Sequence, residues 1–377
     1  MKVLIKGTYP YKNEDIWGGA ESVLYNLKKG FNKYHSDINI EILSNNSNLR
    51  NRYEYYKDIT YIRNPRIKFG SIFLSTYPKR IKKIIKIKDF DVLHSHSIDV
   101  AYYGLKYKNK LLFTLHGVTW EEEKYLHSFL KRFGWQILYS NRLKKILRKI
   151  KYVVSINPYI TKLIESYSSA KIFEISNPIP NEFFHLEDKS ESNRLFYIGI
   201  ISRRKNLMNL VKALKIVDKE NIDFKLFVAG KIENREYFGN IKKFVDKSKL
   251  NQKIKFLGVI TDEEKLNQLK KMNFLVLPSL QETAPMVISE AFAAGKPVIA
   301  SNKCGIPYML NNEKNGLLIN PYKIEDIADK IIYALNNSKE MKLKSKNAKK
   351  YANKNHNLKK VVKRYKNAYE FVKENSD

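Results

Sequence analysis

The chain has 377 residues, which at roughly 150 residues per domain predicts two or three domains rather than one core. Hydrophobic residues make up 43% of it, which excludes a largely disordered protein even though 29% of the residues are charged. Lysine and arginine total 70 against 38 acidic residues, a formal net charge of +32 that favours phosphate-bearing, nucleic-acid or anionic lipid partners.

The cysteine content and the absence of long apolar runs bear on the cellular compartment. Cys304 is the one cysteine, so no internal disulfide can form, and the first twenty residues lack the apolar segment of a secretory signal. No stretch reaches the ~18 uninterrupted apolar residues that a membrane span requires. We therefore expect a cytoplasmic protein that does not cross a bilayer.

Short β-rich runs alternate with longer helical patterns, which is typical of βαβ units and parallel sheets. A first series of strands is predicted at 3–7, 38–43, 91–96, 111–117, 152–156 and 171–176. A second series is predicted at 194–199, 224–230, 254–260, 274–279, 297–301 and 316–319. Between the two series, residues 176–193 contain two prolines and a polar run that suit an interdomain linker. The sequence thus predicts two doubly wound α/β domains.

The predicted boundaries give a first domain over residues 1–180, a second over 190–355, and a final segment over 356–377. In the final segment, apolar residues recur at spacings of three and four, which describes one face of a helix that needs a partner surface.

Two runs concentrate the positive charge, at residues 79–88 and at residues 131–151. In the second run, basic residues interleave with apolar ones, a pattern that predicts a basic amphipathic helix able to rest on an anionic membrane surface. The alternative is that the apolar residues pack on a sheet and the lysines are simply solvated. No nucleic-acid partner is expected, because no recognition motif accompanies the charge.

The most informative segment is LPSLQETAPMVISEAFAAGKPVIAS, residues 277–301. It predicts a strand, a loop, and a helix that Pro285 can open and that runs to Gly295. The backbone amides of Met286 and Val287 would lack partners in the first turn, where the helix dipole helps them to bind a phosphate.

Two glutamates flank this predicted phosphate site. Glu290 lies four residues beyond Met286 on the same helix face, about 6 Å further along, where a carboxylate can accept both hydroxyls of a ribose. Glu282 precedes the helix and would meet a sugar instead. An ordinary strand-loop-helix unit with two surface glutamates is the alternative, and spacing alone leaves both interpretations open.

Glu282 and Glu290 form an E-x7-E pair, and ETAPMVISEAFAAGKPVIAS resembles the signature of glycosyltransferase family 4. The resemblance implies a retaining enzyme of the GT-B fold, with two Rossmann-like doubly wound domains facing across a cleft. Thr283 and Ala284 depart from the commoner family pattern, in which many members have glycine and phenylalanine. These departures leave both carboxylates in place.

The segment YIGIISRRKNLMNLVKAL resembles the family segment whose basic residues neutralise the donor diphosphate, and Lys205 falls on the family lysine. Ile200 stands where many members have arginine. Arg203 or Arg204 would then supply the second cation, and the alternative for both is a solvated basic turn.

Further candidates lie in the first domain. Gly18 and Gly19 follow the first strand in IWGGAESVLYNL, where the family places its glycine loop. His116 ends a predicted strand at the edge where open α/β sheets bind ligands, and it matches the family histidine that contacts the donor sugar. A buried structural histidine is the alternative for His116 and also for His94 and His96. Metal ligation by His94 and His96 is not expected, because no third ligand is visible.

The resemblance implies transfer of a hexose-type sugar from a nucleotide-diphosphate donor to a saccharide or lipid-linked acceptor, as in polysaccharide biosynthesis. His116 and Glu282 would orient the sugar, while Lys205 and the amides of Met286 and Val287 would stabilise the leaving diphosphate without a metal or another cofactor. The resemblance also implies that the first domain binds the acceptor, that the second binds the donor, and that the final helix over 356–377 packs back on the first domain. A GT-B nucleotide-sugar epimerase and a non-enzymatic anion- or nucleic-acid-binding protein are the alternatives.

Overall fold

The computed structural model describes residues 1–12, 18–64, 67–69, 72–74, 77–122, 124 and 136–376. The chain divides into two compact units, which we call unit 1 (Met1–Pro178 with Leu358–Asp377) and unit 2 (Ile179–Asn357). All twelve strands predicted from the sequence are present, six in each unit. Their alternation with helices confirms the α/β class.

The main sheet of unit 1 has eight strands in the order β10-β9-β8-β7-β1-β2-β4-β3. Neighbouring strands are parallel except for β3 and β4, and β5 pairs with β6 in a separate antiparallel hairpin. The strands are β1 Lys2–Lys6, β2 Asn39–Asn46, β3 Tyr53–Tyr56, β4 Ile59–Arg63, β5 Ile67–Phe69, β6 Ile72–Leu74, β7 Val92–Ser95, β8 Leu111–Leu115, β9 Tyr152–Ser155 and β10 Lys171–Glu174.

Helices flank this sheet, and the last helix of the chain belongs to the same unit. Short 3-10 and π-helical turns occupy Leu105–Tyr107 and Gln136–Ser140. The α-helices described in unit 1 are α1 Gly19–Tyr34, α2 Tyr77–Ile87, α3 Ile98–Gly104, α4 Thr119–Glu122, α5 Asn141–Leu147, α6 Pro158–Ile164 and α15 Leu358–Glu374.

The six strands of unit 2 are all parallel, in the order β13-β12-β11-β14-β15-β16. These strands are β11 Arg194–Ile198, β12 Lys225–Ala229, β13 Ile254–Gly258, β14 Phe274–Leu277, β15 Val298–Ser301 and β16 Gly316–Ile319. The helices are α7 Asn181–Phe184, α8 Leu207–Lys219, α9 Arg235–Lys247, α10 Asp262–Lys271, α11 Met286–Ala293, α12 Ile306–Leu310, α13 Ile324–Asn336 and α14 Ser338–Asn355. Hydrophobic clusters fill both faces of this sheet.

The strand order locates the place where each sheet can bind a ligand. In unit 1 the order reverses between β1 and β7, and in unit 2 it reverses between β11 and β14. Open parallel sheets bind ligands outside the carboxyl ends of the strands at such a reversal, because the two connecting loops diverge there and leave a crevice. The segments after β11 and β14 are the two that carry Lys205 and Glu282.

Residues 179–193, where the sequence suggested a linker, lie in unit 2. Ile179 and Phe183 are buried in its core, and Lys296 donates hydrogen bonds to Asp188 and Ser190. The chain passes between the units at Pro178–Ile179 and again at Asn357–Leu358.

Helix α15 is held to unit 1 by its apolar face. The seven residues whose spacing predicted this face are all buried: Leu358, Val361, Val362, Tyr365, Ala368, Tyr369 and Val372. The rings of Phe31 on α1 and Tyr369 stack at 5.6 Å between centroids. A Cβ at Gly30 of α1 would lie 2.6 Å from Val362 Cγ1, so glycine at this position allows the two helices to approach.

The basic run over residues 131–151 falls within the described part of the chain from residue 136 onward. Leu143, Ile146 and Leu147 of α5 are fully buried in unit 1. These apolar side chains therefore pack in the protein core, while Lys145, among others, remains exposed. The earlier part of the predicted amphipathic helix, residues 131–135, lies outside the described residues. In the described part, no helix is both long and apolar enough to traverse a bilayer.

Candidate functional site

The loop after β11 carries the predicted basic residues and is anchored to the end of β14. Arg203–Lys205 forms a 3-10 turn, and Asn206 then adopts a left-handed conformation with φ of 60°. The Asn206 side-chain amide donates to the carbonyls of Pro278 at 3.1 Å and Pro321 at 2.7 Å. The Leu280 amide donates to the Arg204 carbonyl at 2.8 Å. These bonds set the distance between the two loops that leave β11 and β14.

Two glycines let β11 and β12 approach closely just before this loop. Gly230 has φ of +142°, and a Cβ there would lie 1.9 Å from the Gly199 carbonyl oxygen. A side chain at position 230 would therefore push Gly199 away, and Gly199 lies directly beneath the Lys205 side chain. Glycine at position 230 is thus required by the geometry that places Lys205.

Lys205 and Glu282, which the sequence assigned to different parts of the donor, contact each other. The Lys205 ammonium donates a hydrogen bond to Glu282 Oε1, and the two side chains are only 13% and 10% exposed. Arg204 Nη1 lies 3.7 Å from the same carboxylate oxygen and donates to the Gln281 carbonyl at 2.8 Å. Two cations share one carboxylate, so this cluster keeps a net positive charge that attracts an anion.

Arg203 is separated from this cluster. Its side chain is exposed, and its guanidinium carbon lies 5.6 Å from the centre of the Tyr237 ring. Ile200, at the position of the family arginine, is 44% exposed. Of the two arginines left open by the sequence, Arg204 is therefore the one that lies beside Lys205.

Helix α11 begins at Met286, with Pro285 as the residue just before it (φ −63°, ψ 120°). The sequence predicted that Pro285 would open the helix, and the observed start is one residue later because Pro285 keeps an extended ψ. The amides of Met286 and Val287 occupy the first two helical positions, where the helix itself offers no acceptor. The helix ends at Ala293, before Gly295, which has φ of +70°.

Glu290 lies in the same helix and is paired with a lysine that the sequence did not indicate. Lys265 of α10 donates to Glu290 Oε1 at 3.1 Å and also contacts Asp262 at 3.0 Å. Burial lowers the pKa of Lys265, but the two carboxylates outweigh this and raise it above its usual value. Glu290 is 7% exposed. It is therefore a neutralised, partly enclosed carboxylate rather than a surface one.

In unit 1, Gly18 and Gly19 start α1. Gly18 is the residue before the helix, in extended conformation, and its carbonyl accepts from the Ser22 amide at 2.9 Å. Both glycines are exposed, and a Cβ at Gly18 would meet no atom of the described residues within 4 Å. Residues 13–17 of the same loop lie outside the described residues.

His116 follows β8 and forms a hydrogen-bonded pair with His96, which follows β7. His96 Nδ1 and His116 Nε2 are 2.8 Å apart, so one ring donates and the other accepts. Burial lowers the pKa of His116 to about 4 and that of His96 well below its usual value. Both rings are therefore neutral near pH 7, and they can exchange hydrogen bonds with hydroxyl groups but carry no charge.

His94 has the structural role that the sequence left open. It is fully buried, with Nδ1 2.8 Å from the Tyr369 hydroxyl and Nε2 2.7 Å from Thr114 Oγ1. Burial lowers its pKa to about 3. Both ring nitrogens are occupied, so neither is available to a metal ion. Within the described ranges, no three histidine, cysteine or acidic side chains are grouped so as to hold a metal.

Lys6, the last residue of β1, is a buried group that sequence reasoning missed. It is 2% exposed, and its ammonium donates to the Gly7 carbonyl at 3.1 Å. Burial lowers its pKa to about 7, and Asp99 opposes this only in part. Lys6 falls in a strand that the sequence predicts for a parallel sheet. Because helices cover both faces of such a sheet, this position was the available signal that Lys6 would be buried.

Two family descriptions match the chain. "Glycosyl transferases group 1" covers residues 178–354, and "Glycosyltransferase Family 4" covers residues 17–183. The two matches meet at the division between the units and together span residues 17–354. The chain belongs to glycosyltransferase family 4. Neither the epimerase nor the non-enzymatic alternative is favoured by these matches.

Known proteins resemble this family 4 glycosyltransferase in sequence or in structure. The uncharacterized glycosyltransferase MJ1178 of Methanocaldococcus jannaschii is 28% identical over 363 residues, 94% of each chain. Sucrose-phosphate synthase from Thermosynechococcus elongatus has a similar structure, with a TM-score of 0.79 at 16% identity over 98% of each chain. Anabaena Alr3699/HepE in complex with UDP-glucose has a TM-score of 0.71 at 14% identity, covering 98% of this chain and 100% of the other. These similarities confirm the GT-B fold.

Proposed function

We propose that this glycosyltransferase transfers a hexose-type sugar from a nucleotide-diphosphate donor to a saccharide or lipid-linked acceptor, with retention of configuration. The observation that carries the proposal is the cluster of Arg204, Lys205 and Glu282 at the carboxyl ends of β11 and β14. The similar HepE structure contains UDP-glucose, which supports a nucleotide-sugar donor. Retention and the hexose class are proposed by analogy with the family that the sequence resembles.

In the proposed mechanism, the donor diphosphate replaces Glu282 as the partner of Lys205. Two cations and the amides of Met286 and Val287 then stabilise the charge that develops as the diphosphate leaves. Because these groups are held in place before the donor arrives, little reorganisation accompanies bond cleavage. The protein's own residues supply this stabilisation, and we propose that no metal or other cofactor is needed.

The release of Lys205 leaves the Glu282 carboxylate to accept hydrogen bonds from the transferred sugar. His116, neutral near pH 7, is proposed to orient a sugar hydroxyl, and Gly18 and Gly19 to give a ligand access to the amides at the start of α1. Glu290 is proposed to accept hydrogen bonds from the donor ribose.

Binding and turnover of nucleotide sugars test this proposal. We expect one member of a panel of UDP-, GDP- and ADP-sugars to raise the unfolding temperature, with about 2.7 kcal/mol of stabilisation at a hundred times its dissociation constant. Glu282→Ala should abolish transfer and Glu290→Ala should weaken donor binding. Glu325→Ala, at an exposed glutamate in the first turn of α13, is the control and should match the parent. If both site variants transferred sugar at the parent rate, the proposed roles would be wrong.

The compartment of this reaction is also a proposal. We propose a cytoplasmic location, because a content of one cysteine is typical of reducing compartments. A lipid-linked acceptor would bring the enzyme to the inner face of a membrane as a peripheral protein. Fractionation of cells into cytosol and washed membranes would test this, and recovery in an extracytoplasmic fraction would contradict it.

A further inference from the structure

The two basic runs of the sequence meet at one cavity in unit 1. The cavity has a volume of about 820 Å³, and it lies between α2, the segment 102–108 and the end of α5. Lys82 comes from the first run, and Lys145, Arg148 and Lys149 come from the second. Among the described residues, six cationic side chains line it: Lys82, Lys106, Lys108, Lys145, Arg148 and Lys149.

These six cations are not neutralised by the protein. All six are exposed, and no acidic side chain of the described residues lines the cavity. Across the described chain, none of them forms an ion pair with a carboxylate. Nearby, Asp99 is already paired with Arg142 at 3.1 Å. Binding of an external anion would relieve the mutual repulsion of the six charges.

Tyrosine rings hold several of these cations in position. Lys82 Nζ lies 4.5 Å from the centre of the Tyr103 ring, and Lys145 Nζ lies 5.4 Å from that of Tyr102. Such contacts orient an ammonium group and reduce the entropy lost when it binds an anion. They also occupy ring faces on which a nucleic-acid base would otherwise stack. The arrangement therefore favours recognition of phosphate groups over recognition of bases.

The cavity is separate from the proposed transferase site. Lys106 and Lys108 precede β8, and Arg148 and Lys149 precede β9, so they lie toward the amino-terminal edge of the sheet. His116 follows β8 and lies at the opposite, carboxyl edge. Neutralising charges at the cavity should therefore leave the proposed catalytic residues undisturbed.

We propose that this cavity and the adjoining face of α2 bind the phosphate groups of anionic phospholipids at a bilayer surface. Six cations can engage several phosphates at once, as an array of headgroups presents them. Lys83 and Lys86 continue the charged surface along α2, and Ile87 at its end is 65% exposed, as suits contact with the headgroup region. The apolar face of α5 stays in the core, so this attachment is electrostatic and does not require that helix to insert.

Sedimentation with vesicles tests the proposal. Phosphatidylcholine vesicles with and without phosphatidylglycerol would be mixed with three proteins. These are the parent, a control triple variant, and the cavity triple variant, which is Lys106→Gln, Lys108→Gln, Lys149→Gln. The control, Lys342→Gln, Lys346→Gln, Lys350→Gln, removes the same charge from exposed positions on α14 of unit 2. We expect binding only to the anionic vesicles. Each lysine contributes about fivefold, so the cavity triple should bind roughly 100-fold more weakly and the control should resemble the parent.

Several results would overturn the proposal. Equal losses in both triples would mean that net charge, not the cavity, determines binding, and an unchanged cavity triple would remove the site altogether. A further contrary result would be that the parent binds duplex DNA or inorganic phosphate as tightly as anionic vesicles, with this binding lost in the cavity triple variant. That result would assign the site to a different ligand. Sugar transfer without vesicles should be equal in all three proteins, so failure of this site is distinguishable from failure of the proposed transferase function.

Discussion

Replacing Glu282 by glutamine should weaken the folded protein but strengthen its binding of a nucleoside diphosphate. Glu282 is 10% exposed and faces Lys205, which is 13% exposed. Removal of one partner from a buried pair leaves the other charge uncompensated, at a cost of about 3–5 kcal/mol. Arg204, 3.7 Å from the same carboxylate, adds to the unbalanced charge. We expect the free energy of unfolding to fall by about 3 kcal/mol.

The gain in binding follows from the same geometry. In the parent, a diphosphate competes with the Glu282 carboxylate for Lys205 and is also repelled by that carboxylate. For a carboxylate and a phosphate about 5 Å apart, this repulsion is worth about 1–2 kcal/mol at an effective dielectric constant between those of water and protein. Glu282→Gln should therefore bind a nucleoside diphosphate about tenfold more tightly. Sugar transfer should be lost, because the amide cannot replace the carboxylate.

Urea unfolding measures the stability and calorimetric titration the diphosphate binding of four proteins: the parent, Glu282→Gln, Lys205→Met and the double variant. The ligand is the nucleoside diphosphate that stabilises the parent most. Lys205→Met should weaken its binding, and the double variant should recover much of the lost stability, because a neutral pair leaves no buried charge unpaired. The reasoning would be refuted if Glu282→Gln weakened diphosphate binding as much as Lys205→Met does.

Three further predictions concern the supporting residues. Gly230→Ala should lower the free energy of unfolding by about 3 kcal/mol, because the new Cβ would clash with the Gly199 carbonyl and φ is positive there. Gly239 lies inside α9 with no described atom near the position of a Cβ, so Gly239→Ala should raise the free energy of unfolding by about 0.5–1 kcal/mol. Equal melting temperatures of the two variants would contradict this. Lys6 has its pKa lowered to about 7 by burial, so its cost to stability is fully present below pH 7 and disappears as the pH rises past 10.5. Lys6→Met should therefore raise the free energy of unfolding, measured in urea, by about 2–4 kcal/mol at pH 6 and by little at pH 10.5. An equal gain at both pH values would exclude the burial of a charged lysine as the cause. Glu290→Gln should weaken the binding of a ribonucleoside diphosphate about tenfold, but the binding of its 2′-deoxy form much less. The same loss for both ligands would mean that Glu290 serves only to neutralise Lys265.

The sequence predicted the regular elements better than the irregular ones. The structure contains all the strands that the sequence predicted from apolar runs, but it also contains β3 to β6, which were not predicted. These strands are only three to five residues long, and β3 is partly exposed, so their sequence patterns are too short to separate a strand from a loop. The second cation was left open between Arg203 and Arg204, because neighbouring residues of a turn point in different directions and only the fold selects one.

The sequence by itself determined the two α/β units and the order of the candidate donor-site residues along the chain, because both depend on local alternation and on motif spacing. The tertiary structure decided which groups face one another. Glu282 meets Lys205 across 77 positions of sequence, and Glu290 meets Lys265 across 25. The two basic runs likewise meet at one cavity only in the folded unit. Such contacts are set by strand order and by the packing of helices on the sheet, and no local pattern of residues encodes them.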